Sequence, residues 1–154
     1  MLHKLALSLL AGCGLFQAGM GMYFVALRPT MLVEDERFIG LKLAALAQMS
    51  ASIPVWLDRV FIVLGGHAIA TGLLVMLTAI LLWQRTISLA ALAFVLAAGS
   101  ASVGLMSAMN FAIQSDFRWL LLLPALIWAG AALLLASEWI GRADAQRVRV
   151  PDLR

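Results

Sequence analysis

Few residues in this chain can do chemistry inside an apolar segment, and the stretch Gly65 to Gly72, GGHAIATG, holds the main one. His67 is the one ionisable side chain within the long uncharged runs, and an ionisable group in such a run is by default a pointer to function. On a helix, Thr71 and Thr78 follow it at i+4 and i+11 and share its face, opposite a stripe of glycines. Gln17 in the first apolar run and Asn110 at the end of the third complete a candidate ligand-binding set of His67, Thr71, Gln17 and Asn110. The first reading of His67 is a neutral imidazole bonded to a neighbouring Thr, Gln or backbone carbonyl, an ordinary polar contact between helices. A binding or proton-handling role is the second, because imidazoles titrate near physiological pH. Metal or haem ligation is the least favoured, since such sites take more His, Cys or carboxylate ligands than these runs contain.

Other chemistry is sparse. Met20, Met22, Met106 and Met109 offer thioethers that suit Cu(I), but thioethers also fill irregular gaps, and beyond Met20 and Met22 no tight cluster exists. His3 lies outside the apolar runs and is not expected to join any site. The spans contain no carboxylate pair, no cysteine with a neighbouring base and no glycine-rich phosphate loop after a strand. No catalytic residue, metal or cofactor is therefore expected.

Cys13 raises a different question. Leu10-Ala11-Gly12-Cys13 after His3 and Lys4 resembles the site at which bacterial lipoproteins are cut and acylated. Cleavage would leave Gly14 to Leu27, about 21 Å of helix, too short to cross a hydrocarbon core of roughly 30 Å. Uncut, Leu5 to Leu27 is a full span, longer than a signal-peptide core. Cys13 is read as a small residue on a packing face.

The elements that must position these residues follow from composition. Of 154 residues, 64 % are hydrophobic and 12 % charged, about half the charge of a soluble domain. Uncharged runs at 5–27, 60–83, 87–109 and 119–137 each supply the ~20 residues a spanning helix needs. Continuous rather than alternating hydrophobicity favours helices over a barrel. Trp56, Trp83, Trp119 and Trp139 fall near the run ends, where indoles prefer to sit, and Trp128 is mid-span. The expected fold is an all-α integral membrane four-helix bundle forming a single domain, 1–154. Its first loop, 34–49, is expected to form one short amphipathic helix at the membrane surface, with three acids at its start and Ile39, Leu43 and Leu46 at helical spacing. Pro54 suits the first turn of the second span. Ser115 or Asp116 can cap the fourth. With only Gln84, Arg85 and Thr86 between them, the second and third spans are expected to be antiparallel neighbours.

Both ends of a four-span chain lie on one side. That side carries Lys4, Arg85, Arg142, Arg147, Arg149 and Arg154, against Arg28, Arg37, Lys42, Arg59 and Arg118 opposite. The basic tail 141–154 tips the expectation toward cytoplasmic termini in an inner (plasma) membrane. Basic residues outside the spans suit a membrane surface, and no nucleic acid is expected. In topology the chain resembles the small four-helix proteins of the bacterial inner membrane, a resemblance that transfers no functional residue.

Small residues are the expected glue between helices in lipid. Gly14, Ala18 and Gly21 mark such a face on the first span, and Gly65, Ala68, Gly72 and Ala79 on the second. Ala97, Ala101, Gly104 and Ala108 mark one on the third. The function expected from these features is that of a non-enzymatic membrane protein, a homo-oligomer or an accessory subunit of another membrane protein. The alternative is a small transporter or ligand-binding protein with a polar pocket around His67.

Overall fold

Every regular element of the computed structural model is helical; it describes residues 1–149, with side chains to Ala145. In chain order these are α1 (Leu2–Ala26), α2 (Val33–Ile39), α3 (Leu43–Met49), α4 (Ser52–Leu82) and α5 (Leu89–Gly99). A π-helical turn (Ser100–Gly104) then leads into α6 (Leu105–Ala112), and α7 (Arg118–Arg149) follows. Four columns are long and apolar enough to cross a membrane: α1, α4, the continuous α5–π–α6 column, and α7. Among the described residues the chain is thus all-helical, with four columns compatible with a membrane protein.

Local chemistry sets the ends. Pro29 disfavours helical backbone at Arg28, and the N–H groups of Leu27 and Arg28 close the last turn of α1 on the Tyr23 carbonyl. In α4, Pro54 sits in the first turn, where its missing N–H costs nothing. α4 starts well before Val60, carrying Asp58 and Arg59 inside the helix. At the other end of the chain, the segment expected as a tail from Gly141 is helical to Arg149. A change from apolar to polar composition does not end a helix whose backbone bonds are internal, and GRADAQRVR is rich in helix formers. The side chains of Arg147 and Arg149, and all of Arg154, lie outside the described residues.

The first loop differs from the expected single helix. Gly40 adopts φ +76°, a left-handed conformation that ends α2, and α3 begins anew at Leu43, whose N–H is capped by Glu36 Oε1 at 3.0 Å. The acid-rich start of α2 works locally: Asp35 Oδ2 accepts from the Leu32 N–H at 2.9 Å.

α1 is the central helix. It packs along α4 on one side and α7 on the other, while α7 packs against α5, the π turn and α6. α4 touches α1 and α3 but runs no comparable contact along α5. The order is therefore α4, α1, α7, α5–α6. The expectation that the spans on either side of Arg85 pack as neighbours does not hold: a short connection fixes only the adjoining ends, and beyond it the helices diverge around a groove of about 320 Å³.

The α1–α4 contact is made by backbone. A Cβ built at Gly14 falls 2.7 Å from the Gly72 carbonyl oxygen, and one at Gly65 falls 2.7 Å from that of Gly21. Gly14 and Gly21 are two helical turns apart, as are Gly72 and Gly65, so the antiparallel helices touch at both glycine pairs, with Ala18 between them against Gly72. Gly66, one residue from the seam, has open space around its Cβ position. Gly72→Val is expected to lower stability by about 3 kcal/mol, because the new atoms meet backbone that cannot rotate away. Gly66→Ala should leave stability unchanged or slightly raised. Unfolding by denaturing detergent, followed by circular dichroism, measures both.

Candidate functional site

The polar face of α4 is left uncovered by the rest of the chain, and at Thr78 it borders the groove toward α5. His67 and Thr78 are exposed and Thr71 is half-buried, whereas Gly65, Gly72, Val75 and Ala79 are buried. His67 Nδ1 lies 2.9 Å from the Val63 carbonyl oxygen. A carbonyl only accepts, so Nδ1 carries the proton of the neutral ring and Nε2 bears a lone pair. The Thr71 hydroxyl donates to the His67 carbonyl and that of Thr78 to the Leu74 carbonyl, each at 2.8 Å. The donors of all three side chains are thus spent within α4, and what the face offers a partner is acceptors.

The four residues read from sequence as one pocket do not form one. Gln17 is buried on α1 and its Oε1 has no hydrogen-bond partner. Asn110 is half-buried on α6 and donates to its own helix at the Met106 carbonyl, 2.9 Å away. Only Thr71 and His67 are joined, through the backbone bond above. Helical projection put His67 and Thr71 on one face of α4, but it holds no information about which way that face turns.

The small faces fare unequally. Gly14, Ala18, Gly21, Gly65 and Gly72 are buried at the α1–α4 contact. On the third column, Ala97, Ala101 and Ala108 are exposed and Gly104 is half-buried. The buried face there is Leu92, Val95, Gly99, Val103 and Ser107. Fit to one large side chain decides it: Trp128 of α7 occupies the notch at Gly99, where any Cβ would collide with the indole, and its Nε1 donates to the Val95 carbonyl at 3.0 Å. Gly104 belongs to the π turn, closed by the Leu105 N–H on the Ser100 carbonyl, five residues back. Cys13 is buried with its thiol directed at the carbonyl of Pro124, 3.5 Å away, within α7.

Two polar clusters escaped the sequence reading because most of their contacts join residues distant in the chain, Arg28 with Phe61, Glu34 with Ser115 and His3 with Glu138. At the end of the row bearing α2, the Arg28 side chain is 5 % exposed, pairs with Asp35 at 2.6 Å and lies 3.5 Å over the Phe61 ring. Beside it, the buried Glu34 carboxylate accepts from the Ser115 hydroxyl at 3.2 Å, and the Ser115 oxygen accepts from the Phe117 N–H. The more exposed pair Arg37–Asp116, 2.9 Å apart, also ties α2 to the α6–α7 connection. At the opposite end, His3, Glu138 and Arg142 form a second cluster around the α4–α5 connection. No group of three or more metal-ligating side chains occurs among the described residues.

The chain matches no protein-family model, no curated protein and no solved structure. Its function therefore rests on its own geometry.

Two substitutions test the polar contacts. Asp35→Ala leaves the enclosed Arg28 without a counter-ion and is expected to cost about 3 kcal/mol; Arg37→Ala, at the exposed pair, should change stability by less than about 1 kcal/mol. Gln17→Leu removes an unpartnered amide oxygen and is expected to raise stability by about 1 kcal/mol. Detergent unfolding of the three variants beside the parent gives the values.

Proposed function

We propose that this chain is a non-enzymatic multi-pass protein of the inner (plasma) membrane that works by packing laterally against other membrane helices, as a homo-oligomer or as an accessory subunit. The observation that carries this reading is the uncovered polar face of α4. Side-chain acceptors at His67 and Thr78 that no element of the same chain covers are costly in hydrocarbon unless a neighbouring chain supplies donors, which is the usual place of such groups in helix association. The small share of α4 covered by its own chain supports the same reading: 17 % of its most apolar window is buried, against 39 % for α1. Gly66 and Ala70, both exposed beside His67, would let a partner backbone approach closely. Both termini are assigned to the cytoplasm from the excess of basic residues at that end, with α2 and α3 at the opposite membrane surface.

The test is association of the intact protein in nanodiscs and mild detergent, read by light scattering and by the membrane proteins that co-purify. His67→Leu combined with Thr78→Val should weaken association about tenfold, the effect of one to two polar helix contacts, while circular dichroism stays that of the parent. Unchanged association in the folded double variant would refute the role of this face. Loss of ligand binding or flux in His67→Ala, with association intact, would instead support a polar pocket.

A further inference from the structure

His3 stands where three elements meet. Its Nδ1 lies 2.7 Å from Glu138 Oε2 of α7, and its Nε2 lies 3.0 Å from the carbonyl oxygen of Leu82, the last residue of α4. Both partners accept hydrogen bonds: the carbonyl always, the carboxylate whenever it is ionised. A neutral imidazole has one N–H and can satisfy one of them. The observed pair of contacts requires one proton more than a neutral ring and a carboxylate hold between them, whether it rests on the ring or on Glu138. Without that proton, one contact becomes lone pair against lone pair.

The neighbouring charges decide which contact yields. Arg142 of α7 faces Glu138 at 3.4 Å and donates to the Ile87 carbonyl at 3.3 Å. Lys4 of α1 is turned to Trp83, its ammonium 5.9 Å from the ring centre. The α4–α5 connection presents the Leu82 and Ile87 carbonyls to the cluster, and its Arg85 is exposed. Arg142 carries a permanent positive charge that faces the Glu138 carboxyl group and holds it in place. A single remaining N–H on His3 therefore stays with the carboxylate, the stronger acceptor, and the Leu82 carbonyl is left to the Arg85 N–H, 3.0 Å away. Leu82 also lines the groove between α4 and α5, together with Val75 and Thr78 on one wall and Phe94 and Ala98 on the other. The His3 and Glu138 side chains are 18 % and 26 % exposed, so water can deliver and remove the proton.

We propose that His3 and Glu138 form a proton-operated clamp on the mouth of the α4–α5 groove. Protonated, the pair ties the end of α4 to α1 and α7; deprotonated, it gives up the Leu82 carbonyl and loosens the α4–α5 connection from α7. The proposal is independent of the lateral-association reading, because the proton it invokes lies between His3 and Glu138 and not on the polar face of α4.

Two readouts on the full chain in nanodiscs test it between pH 5.5 and 8.5, the range in which imidazoles titrate. The chain has two histidines, so ring nitrogen NMR, with His67→Gln for assignment, reads His3 directly. Both ring nitrogens, or one ring nitrogen and the Glu138 carboxyl, should be protonated at low pH, with the extra proton lost as pH rises. Spin labels at Gln84→Cys and Gly141→Cys, in a Cys13→Ser background, report the distance from the connection to α7. A single short distance is expected at low pH, with its population falling in step with His3 deprotonation. In His3→Gln the distance should not respond to pH. A distance that ignores pH while His3 titrates would overturn the clamp, as would a pH response that survives in His3→Gln. A pair that lacks the extra proton at pH 5.5 would overturn the protonation argument itself.

Discussion

The backbone contact between α1 and α4 is the constraint on which the arrangement depends. With glycines at Gly14 and Gly21 facing Gly72 and Gly65, the helix axes approach until main chain meets main chain. In lipid this close approach does the work that expulsion of water does in a soluble core, through dense van der Waals contact. It fixes more than one pair of helices. Once one side of α1 is committed to α4, its other side, with Leu10 and Cys13, is left for α7, and α1 becomes the middle of the row.

α7 then meets the third column by a different device. Trp128 fills the notch at Gly99 and spends its N–H on the Val95 carbonyl, so one large side chain is both wedge and hydrogen-bond donor. The two contacts place α4 and α5 on opposite flanks of the α1–α7 pair. Their short connection cannot draw them together along their length, and a groove opens between them. At the two ends of that connection, the Leu82 and Ile87 carbonyls are held by His3 and Arg142.

Polar chemistry divides by depth. At the two ends of the row, charged side chains pair across elements, as in Arg28 with Asp35 and His3 with Glu138. Along the spans, the polar side chains of α4, together with Ser102 and Asn110, bond backward to carbonyls of their own helix. Such self-satisfied groups stabilise no tertiary contact within the chain, yet they leave lone pairs directed outward. The mid-span histidine therefore joins no second element, while the histidine near the start of α1 joins two.

Much of this was legible without coordinates. Composition and run length determine four spanning helices, because each span must satisfy its own backbone and cover a fixed thickness of hydrocarbon. The glycines and alanine of α1 and α4 could be picked out by spacing alone, since only residues without bulk permit backbone contact. Three things were decided by the tertiary structure. The outward turn of His67 depends on which face of α4 the glycines bury. The buried face of the third column depends on where Trp128 inserts, so its alanine stripe misled. The clusters at His3 and Arg28 join residues far apart in sequence. Periodicity reports which residues share a face of one helix. The neighbour that covers a face, and the distant charge that meets it, are properties of the packed chain.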